Sequence, residues 1–326
     1  MKLNIAIIMG GYSSEHQISL LSGQNVFKHL SRERFNPYRV MISTNKWVCL
    51  DDSDKEYPVN RADFSVEIEG KKISFHCVFN AIHGSPGEDG LMQAYFRLLG
   101  LPQTSCGYYQ AALTFNKRDL LSVLKAYGIK MATSYYLNQG DKINEEEILK
   151  KVGLPCFVKA NRAGSSFGIT KVHKPEELSK GIEHAFSEDP EIIIESCLVG
   201  TEVSVGVITY KGETKVLPIT EIVSENDFFD YEAKYQGKSQ EITPARISEK
   251  EKKEVSRVAK MIYNTLGMKG YTRSEFILID GVPHMLEMNT TPGLTEQSIL
   301  PQQALAAGIS LSELFESAVE EALHEN

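Results

Sequence analysis

The chain lacks the signals that would send it to a membrane, a secretory route or a nucleic acid. Residues 1–9 are apolar but too short for a leader and run straight into Gly10-Gly11, so they read as a buried strand. No apolar run is long enough to span a bilayer. The cysteines, Cys49, Cys77, Cys106, Cys156 and Cys197, are odd in number and scattered. That spacing excludes a disulfide framework and suits free, buried thiols in a reducing cytoplasm. Positive charge is in deficit: 35 Lys and Arg stand against 43 Asp and Glu, a net charge of -8 spread along the chain. Neither nucleic acid nor an anionic membrane is then expected as the main partner. Internal repeats and low-complexity segments are missing too. So is G-x-G-x-x-G, which counts against a nicotinamide dehydrogenase. What remains is ordinary globular composition over 326 residues, enough for two or three domains.

The most informative stretch lies near the end: Arg273-Ser274-Glu275, an apolar run broken by Asp280-Gly281, then Glu287-Met288-Asn289-Thr290-Thr291-Pro292-Gly293. Both arms alternate with period two, the strand signal. Odd positions carry Arg273, Glu275, Glu287 and Asn289; even positions carry Phe276, Leu278, Leu286 and Met288. A two-residue turn at Asp280-Gly281 pairs Glu275 with Leu286 and sends the acids to opposite faces. A three-residue turn over 279–281 pairs Glu275 with Met285 and gathers all four polar groups on one face. The second register is expected, because it buries one whole face. Two carboxylates side by side repel by ~4 kcal/mol at ~4 Å and an effective dielectric near 20, so a cation belongs between them. Hard oxygen donors without His or Cys suit Mg²⁺ completed by substrate phosphates.

Along the rest of the chain, residues 3–9 form a strand ended by Gly10-Gly11. Ser14 and Gln17 then match a capping box for a helix to about residue 30, with Ile18, Leu21 and Val26 inward. Strand, glycine turn and helix start make a common cradle for phosphate or carboxylate. Glu15 falls in the first turn, where complementing the helix dipole would by itself account for it. A buried strand over 75–82 ends at His83-Gly84, followed by Gly87-Glu88-Asp89-Gly90 and a helix over 91–99 closed by Gly100. By itself His83 reads as a hydrogen-bonded structural histidine. Strand and helix alternate over 1–104, as in a small α/β domain. Asn116-Lys117 opens a helix to Tyr127. A strand at 156–159 leads into Gly164-Ser165-Ser166-Phe167-Gly168, a loop able to lay N–H groups over phosphates. Lys117 and Lys159 are candidate phosphate cations. Residues 223–240, with Phe228, Phe229, Tyr231 and Tyr235, read as a long functional loop. Helices follow over 175–186, 248–266 and 311–323.

Taken in order, these motifs, with Tyr231-Glu232-Ala233-Lys234-Tyr235 between the loop and the hairpin, make the chain resemble the D-alanine–D-alanine ligases of the ATP-grasp superfamily. The resemblance runs nearly end to end. It implies an α/β (α+β) fold in three parts. Residues 1–104 would be an N-terminal α/β domain with a parallel sheet. Residues 105–197 and 198–326 would be central and C-terminal parts whose antiparallel sheets clasp ATP. It implies ATP contacts by Lys117, Phe157, Lys159, Ser165, Ser166, Glu195, Cys197, Leu198, Glu202 and Phe228. Glu275, Glu287 and Asn289 would hold two Mg²⁺ ions, with Mn²⁺ an alternative. Glu15, Ser165, Tyr235, Arg273 and Gly293 would carry the catalysis, Glu15 on the ammonium of the first D-alanine. His83, Lys234, Asn289, Ser298 and Ile299 would bind substrate. A D-alanine carboxylate would become an acyl phosphate, and a second D-alanine amine would attack it, giving a dipeptide for peptidoglycan. A homodimer in the cytoplasm is the family expectation. The chain departs from the family in Glu275, where Asp is common, in Ser196, which replaces a common Lys, and in Ala163, which replaces a common Glu. The rival readings are a D-alanine–D-lactate ligase, which lacks the lid tyrosine matched by Tyr235, and a nucleotide-binding module without catalysis.

Overall fold

The computed structural model describes residues 2–164, 168–224 and 239–324. Three sheets organise them. The first has seven strands in the order Lys71–Ile73, Ser65–Ile68, Glu56–Asn60, Trp47–Leu50, Phe35–Ile42, Leu3–Gly10, Cys77–Asn80. Only the last three are parallel. The other four extend the sheet as an antiparallel meander, so the expected parallel sheet is three of the seven strands observed. The reason is local. Glu69 and Gly70 both take positive φ (50° and 76°), the conformation that lets a two-residue turn fold a strand straight back. A parallel neighbour needs a crossover instead. The helix His16–His29 supplies one between the first two strands.

That helix departs from expectation. Ser14 and Gln17 form no capping box; Glu15 is the N-cap residue and its side chain caps nothing. The inward face is built from Ser19, Ser22, Gly23 and Val26, while Leu21 is exposed. Small residues are required because a Cβ on Gly23 would sit 2.7 Å from the side chain of Met9. The helix Leu91–Leu99 forms as expected, stopped by Gly100 at φ 63°.

The second sheet has four antiparallel strands, in the order Ile169–Val172, Cys156–Ala160, Glu191–Ser196, Ser134–Asn138. It packs on the helices Glu145–Val152 and Leu178–Glu188 through Ile148, Val158, Ile182 and Ile194. The expected helix over 175–186 begins as a 3-10 turn, Pro175–Glu177. The third sheet runs Ser239–Ile242, Thr220–Ser224, Thr201–Tyr210, Tyr271–Ile279, Val282–Asn289, Lys130–Met131, with Glu213–Val216 beside Thr201–Tyr210. The loop expected over 223–240 is therefore strand at both described ends. The helix Glu249–Thr265 covers this sheet with Val255, Ala259 and Ile262. A capping box of Ser248 and Glu251 closes the start of this helix, expected over 248–266.

Two further helices pack here, the second expected from Asn116-Lys117 and the first not singled out by periodicity. Tyr108–Phe115 and Lys117–Ala126 bring Ala111, Leu120, Leu121 and Leu124 into the core of the third sheet. The closing helix Leu311–His324 lays Leu314, Phe315 and Val319 against Ile5, Ile7 and Phe79 of the first sheet. Phe315 meets Phe79 edge to face at 5.7 Å. The first sheet is thus buried on this side by the last helix of the chain, which ties the N-terminal part to the third sheet. Among the described residues no helix is long and apolar enough to cross a membrane.

Candidate active site

The hairpin Tyr271–Ile279/Val282–Asn289 reaches the expected shared face by another route. Its turn has two residues, Asp280 (φ 51°) and Gly281 (φ 77°), and Ile279 pairs with Val282. Both residues in the left-handed region match the twist of the flanking strands, so the short turn wins over the three-residue one. Phe276 accordingly pairs with Met285. The register then shifts, and Glu275 stands opposite Glu287, Ser274 opposite Met288, and Arg273 opposite Asn289. The extra residue is Leu286, a bulge. Met285, fully buried, takes the core position expected for Leu286, which instead lines a cavity beside Glu275 and Glu287.

Each acid has its own cation. Arg273 Nη2 lies 2.9 Å from Glu275 Oε1, and Lys117 Nζ lies 3.4 Å from Glu287 Oε2. Lys117 is the first residue of its helix, and its ammonium also donates to Ala163 O at 2.7 Å. Asn289 Oδ1 accepts from Thr291 N–H at 2.9 Å. Among the described residues no three His, Cys, Asp or Glu side chains form a metal cage. Two facing carboxylates and one amide oxygen fit Mg²⁺, which takes few protein ligands and completes its shell with water and phosphate.

Two cavities meet at this face. The first, of about 320 Å³, lies between the second and third sheets. Phe157, Lys159, Lys171 and Glu195 come from one sheet, and Glu202, Glu275, Leu286 and Glu287 from the other, with Cys197 and Leu198 at the edge. Lys159 Nζ is 2.9 Å from Glu195 Oε2 and 5.4 Å from the centre of the Phe157 ring. Burial works against the Lys159 charge, but Glu195, with help from Glu287 and Glu202, outweighs it and lifts its pKa above the usual lysine value. The second cavity, of about 300 Å³, is lined by Glu15, His83, Glu88, Gly164, Arg273, Asn289, Gly293, Ser298 and Ile299. Lys117 and Glu287 line both.

In the second cavity the glycines mark close approaches. A Cβ on Gly164 would stand 2.3 Å from Glu15 Oε2, so the carboxylate expected to serve the helix dipole reaches the base of the 164–168 loop instead. A Cβ on Gly293 would stand 2.7 Å from Ser298 Oγ. Ser298 precedes a helix that sequence reasoning missed, Ile299–Ala306, whose first two residues line the cavity. His83 is buried and committed: Nδ1 donates to Thr291 O at 2.7 Å, and Nε2 accepts from Ser22 Oγ at 2.8 Å. Leu294 N–H donates to Ser22 Oγ at 3.1 Å, which leaves the serine proton for His83. Burial lowers the pKa of the ring, so it is neutral. Its structural and cavity-lining readings both hold: the nitrogens join two parts of the chain, and the ring forms wall.

Glu88 was passed over as a site residue although its motif was on the page. Oε2 accepts from Gly84 N–H at 3.0 Å and Oε1 from Thr290 N–H at 3.3 Å. Burial, then the charge of Glu15, pushes its carboxyl up to about 7, against the pull of those N–H groups. All described residues expected in the site line one of the two cavities. Ser165, Ser166, Phe228, Lys234 and Tyr235 lie outside the described residues.

Two sheets closing on a cleft with lysines on one side and facing acids on the other define an ATP-grasp ligase. Residues 4–106 match the D-ala D-ala ligase N-terminus family and residues 123–320 the D-ala D-ala ligase C-terminus family. A D-alanine–D-alanine ligase of Flavobacterium johnsoniae is 68% identical over 317 residues, covering 97% of this chain and 98% of the relative. Among solved structures, a D-Ala:D-Ser ligase from Enterococcus faecalis aligns with a TM-score of 0.85 at 31% identity, covering 99% of this chain and 100% of that one. A Bacillus anthracis D-alanine–D-alanine ligase complexed with ATP aligns with a TM-score of 0.80 at 28% identity, covering 99% and 98%. The chain belongs to the D-alanine–D-alanine ligase family.

Proposed function

We propose that the chain joins two D-alanines into D-alanyl-D-alanine, with cleavage of ATP to ADP and phosphate through an acyl phosphate, for peptidoglycan synthesis. One observation carries the reading: Lys117 and Glu287 line both cavities. A nucleotide in the first cavity and an amino acid in the second would meet across that pair. There a carboxylate oxygen can attack a terminal phosphorus while the ammonium balances the gathering charge. Glu202 would take the ribose hydroxyls; Glu195 and the backbone at Cys197 and Leu198 would meet the adenine. Lys117 and Lys159 would hold the phosphates, with Ser165 and Ser166 above them and Phe157 and Phe228 beside the base. Glu275, Glu287 and Asn289 would bind two Mg²⁺ ions, or Mn²⁺, which supply charge neutralisation at the phosphates. Glu15 would hold the first ammonium and form a closing set with Ser165 and Tyr235. Lys234, Ser298 and the N-terminus at Ile299 would hold the second carboxylate. When the second amine attacks the acyl phosphate, Arg273 and Gly293 N–H would face the oxyanion. Losing one such donor would cost about 2.7–4 kcal/mol of barrier.

We assign residues 1–104, 105–197 and 198–326 to three parts, with helices 108–126 docked on the third sheet, and expect a cytoplasmic homodimer. The test supplies the purified chain with ATP, Mg²⁺ and D-alanine, D-serine or D-lactate, and follows ADP release and product mass. D-alanyl-D-alanine as the main product is expected. A predominant D-alanyl-D-lactate or D-alanyl-D-serine would overturn the substrate, and ATP binding without ADP release would overturn the activity.

A further inference from the structure

Asn161 lines neither cavity, is fully buried, and commits its polar atoms to joining other elements. Its Nδ2 donates to Asn116 Oδ1 and to Glu191 Oε2, each at 2.9 Å. Its Oδ1 accepts from Arg118 N–H at 2.9 Å, and its main-chain oxygen from Lys117 N–H at 3.3 Å. A helix opens with N–H groups that have no partner within it. Here Asn161 takes those of the first two residues, Lys117 and Arg118, while the Asn116 side chain takes the third, from Asp119 at 3.0 Å. The start of the helix that carries Lys117 is therefore bolted to the chain two residues beyond Lys159. The two lysines come from separate elements, yet one buried amide fixes both backbones in one frame.

We propose that Asn161 is the positioning residue that sets the spacing of the Lys117 and Lys159 ammonium groups for the ATP phosphates. The proposal rests on the reading that both lysines bind phosphate. Asn161→Ala removes the side-chain bonds of the clamp, to Arg118 N–H, Asn116 and Glu191, keeps the main-chain bond to Lys117 N–H, and deletes no cavity-lining side chain. The expected result is a KM for ATP raised about tenfold, since misplacing a binding group by a fraction of an ångström is enough for that, with the KM for D-alanine within twofold of wild type. If Asn161→Ala does not fold, Asn161→Ser, whose hydroxyl is too short to span Arg118 N–H, Asn116 and Glu191 together, carries the same test. An unchanged KM for ATP, or both KM values rising together with a fall in melting temperature, would overturn the proposal. Lys117→Ala is the control. If it raises the KM for ATP and Asn161→Ala does not, the clamp alone is refuted. If Lys117→Ala leaves that KM unchanged, the phosphate reading fails and this inference falls with it.

Discussion

Glu287→Gln separates what the site costs from what it does. The change keeps shape and removes one charge at a position whose side chain is 30% exposed. Two opposing terms act on stability. Lost is the ion pair with Lys117 at 3.4 Å, which for a partly exposed pair is worth about 0.5–1 kcal/mol. Relieved is repulsion from Glu275 directly across the hairpin. Facing side chains start about 5 Å apart, so at an effective dielectric near 20 the bare term is ~3 kcal/mol. Arg273 at 2.9 Å from Glu275 neutralises much of it. The balance is a gain of about 1 kcal/mol, a melting temperature higher by about 2 °C for a chain this long. Turnover should move the other way, by about 100-fold or more, because under the proposed function this carboxylate would hold the metal at the phosphates. The assay pairs ADP release at saturating ATP and D-alanine with a thermal melt in the absence of both. Activity and melting temperature falling together would show that Glu287 is a structural residue and that the charge argument is wrong.

Two further outcomes follow from the same geometry. The carboxyl of Glu88 sits at about 7 in the folded chain and lower when unfolded. The native state therefore holds the extra proton, and its stabilisation is full near pH 4.5 and lost as pH rises toward 7, by about 3 kcal/mol in all. Glu88→Gln should flatten that slope in chemical denaturation measured from pH 5 to 8; an unaltered slope would show that it does not originate in Glu88. Deleting Leu286 removes the bulge but leaves Glu287 opposite Glu275 on the same face, because Phe276 still pairs with Met285; what is lost is the Leu286 side chain in the first cavity. Folded protein that keeps its turnover at saturating ATP, with a raised KM for ATP, is expected, and loss of turnover at saturating ATP would show that the bulge itself is required.

The facing acids were legible because strand periodicity survives on each arm of the hairpin separately. Their register was not. Parity counted through the turn fails when one residue, Leu286, steps out of the ladder, and nothing in its side chain announces that. The N-terminal meander was missed for a related reason: strands Ser65–Ile68 and Lys71–Ile73 are too short to show a period. Glu15 was legible only as a residue, since its partner Gly164 lies far along the chain and only backbone proximity reveals why a glycine stands there. Glu88 shows the opposite failure: the motif was seen, but its buried state depends on Thr290, which folding alone brings near.

The shared wall of Lys117 and Glu287 presents one charge of each sign, paired at 3.4 Å, to both cavities. A polyphosphate arriving bare would meet the negative end of that pair, and a dication arriving bare would meet the positive end. Arriving together, they can exchange partners with it, ammonium to phosphate and carboxylate to cation. Under the proposed function, such a wall would favour a nucleotide that already carries its counter-ion over either one by itself.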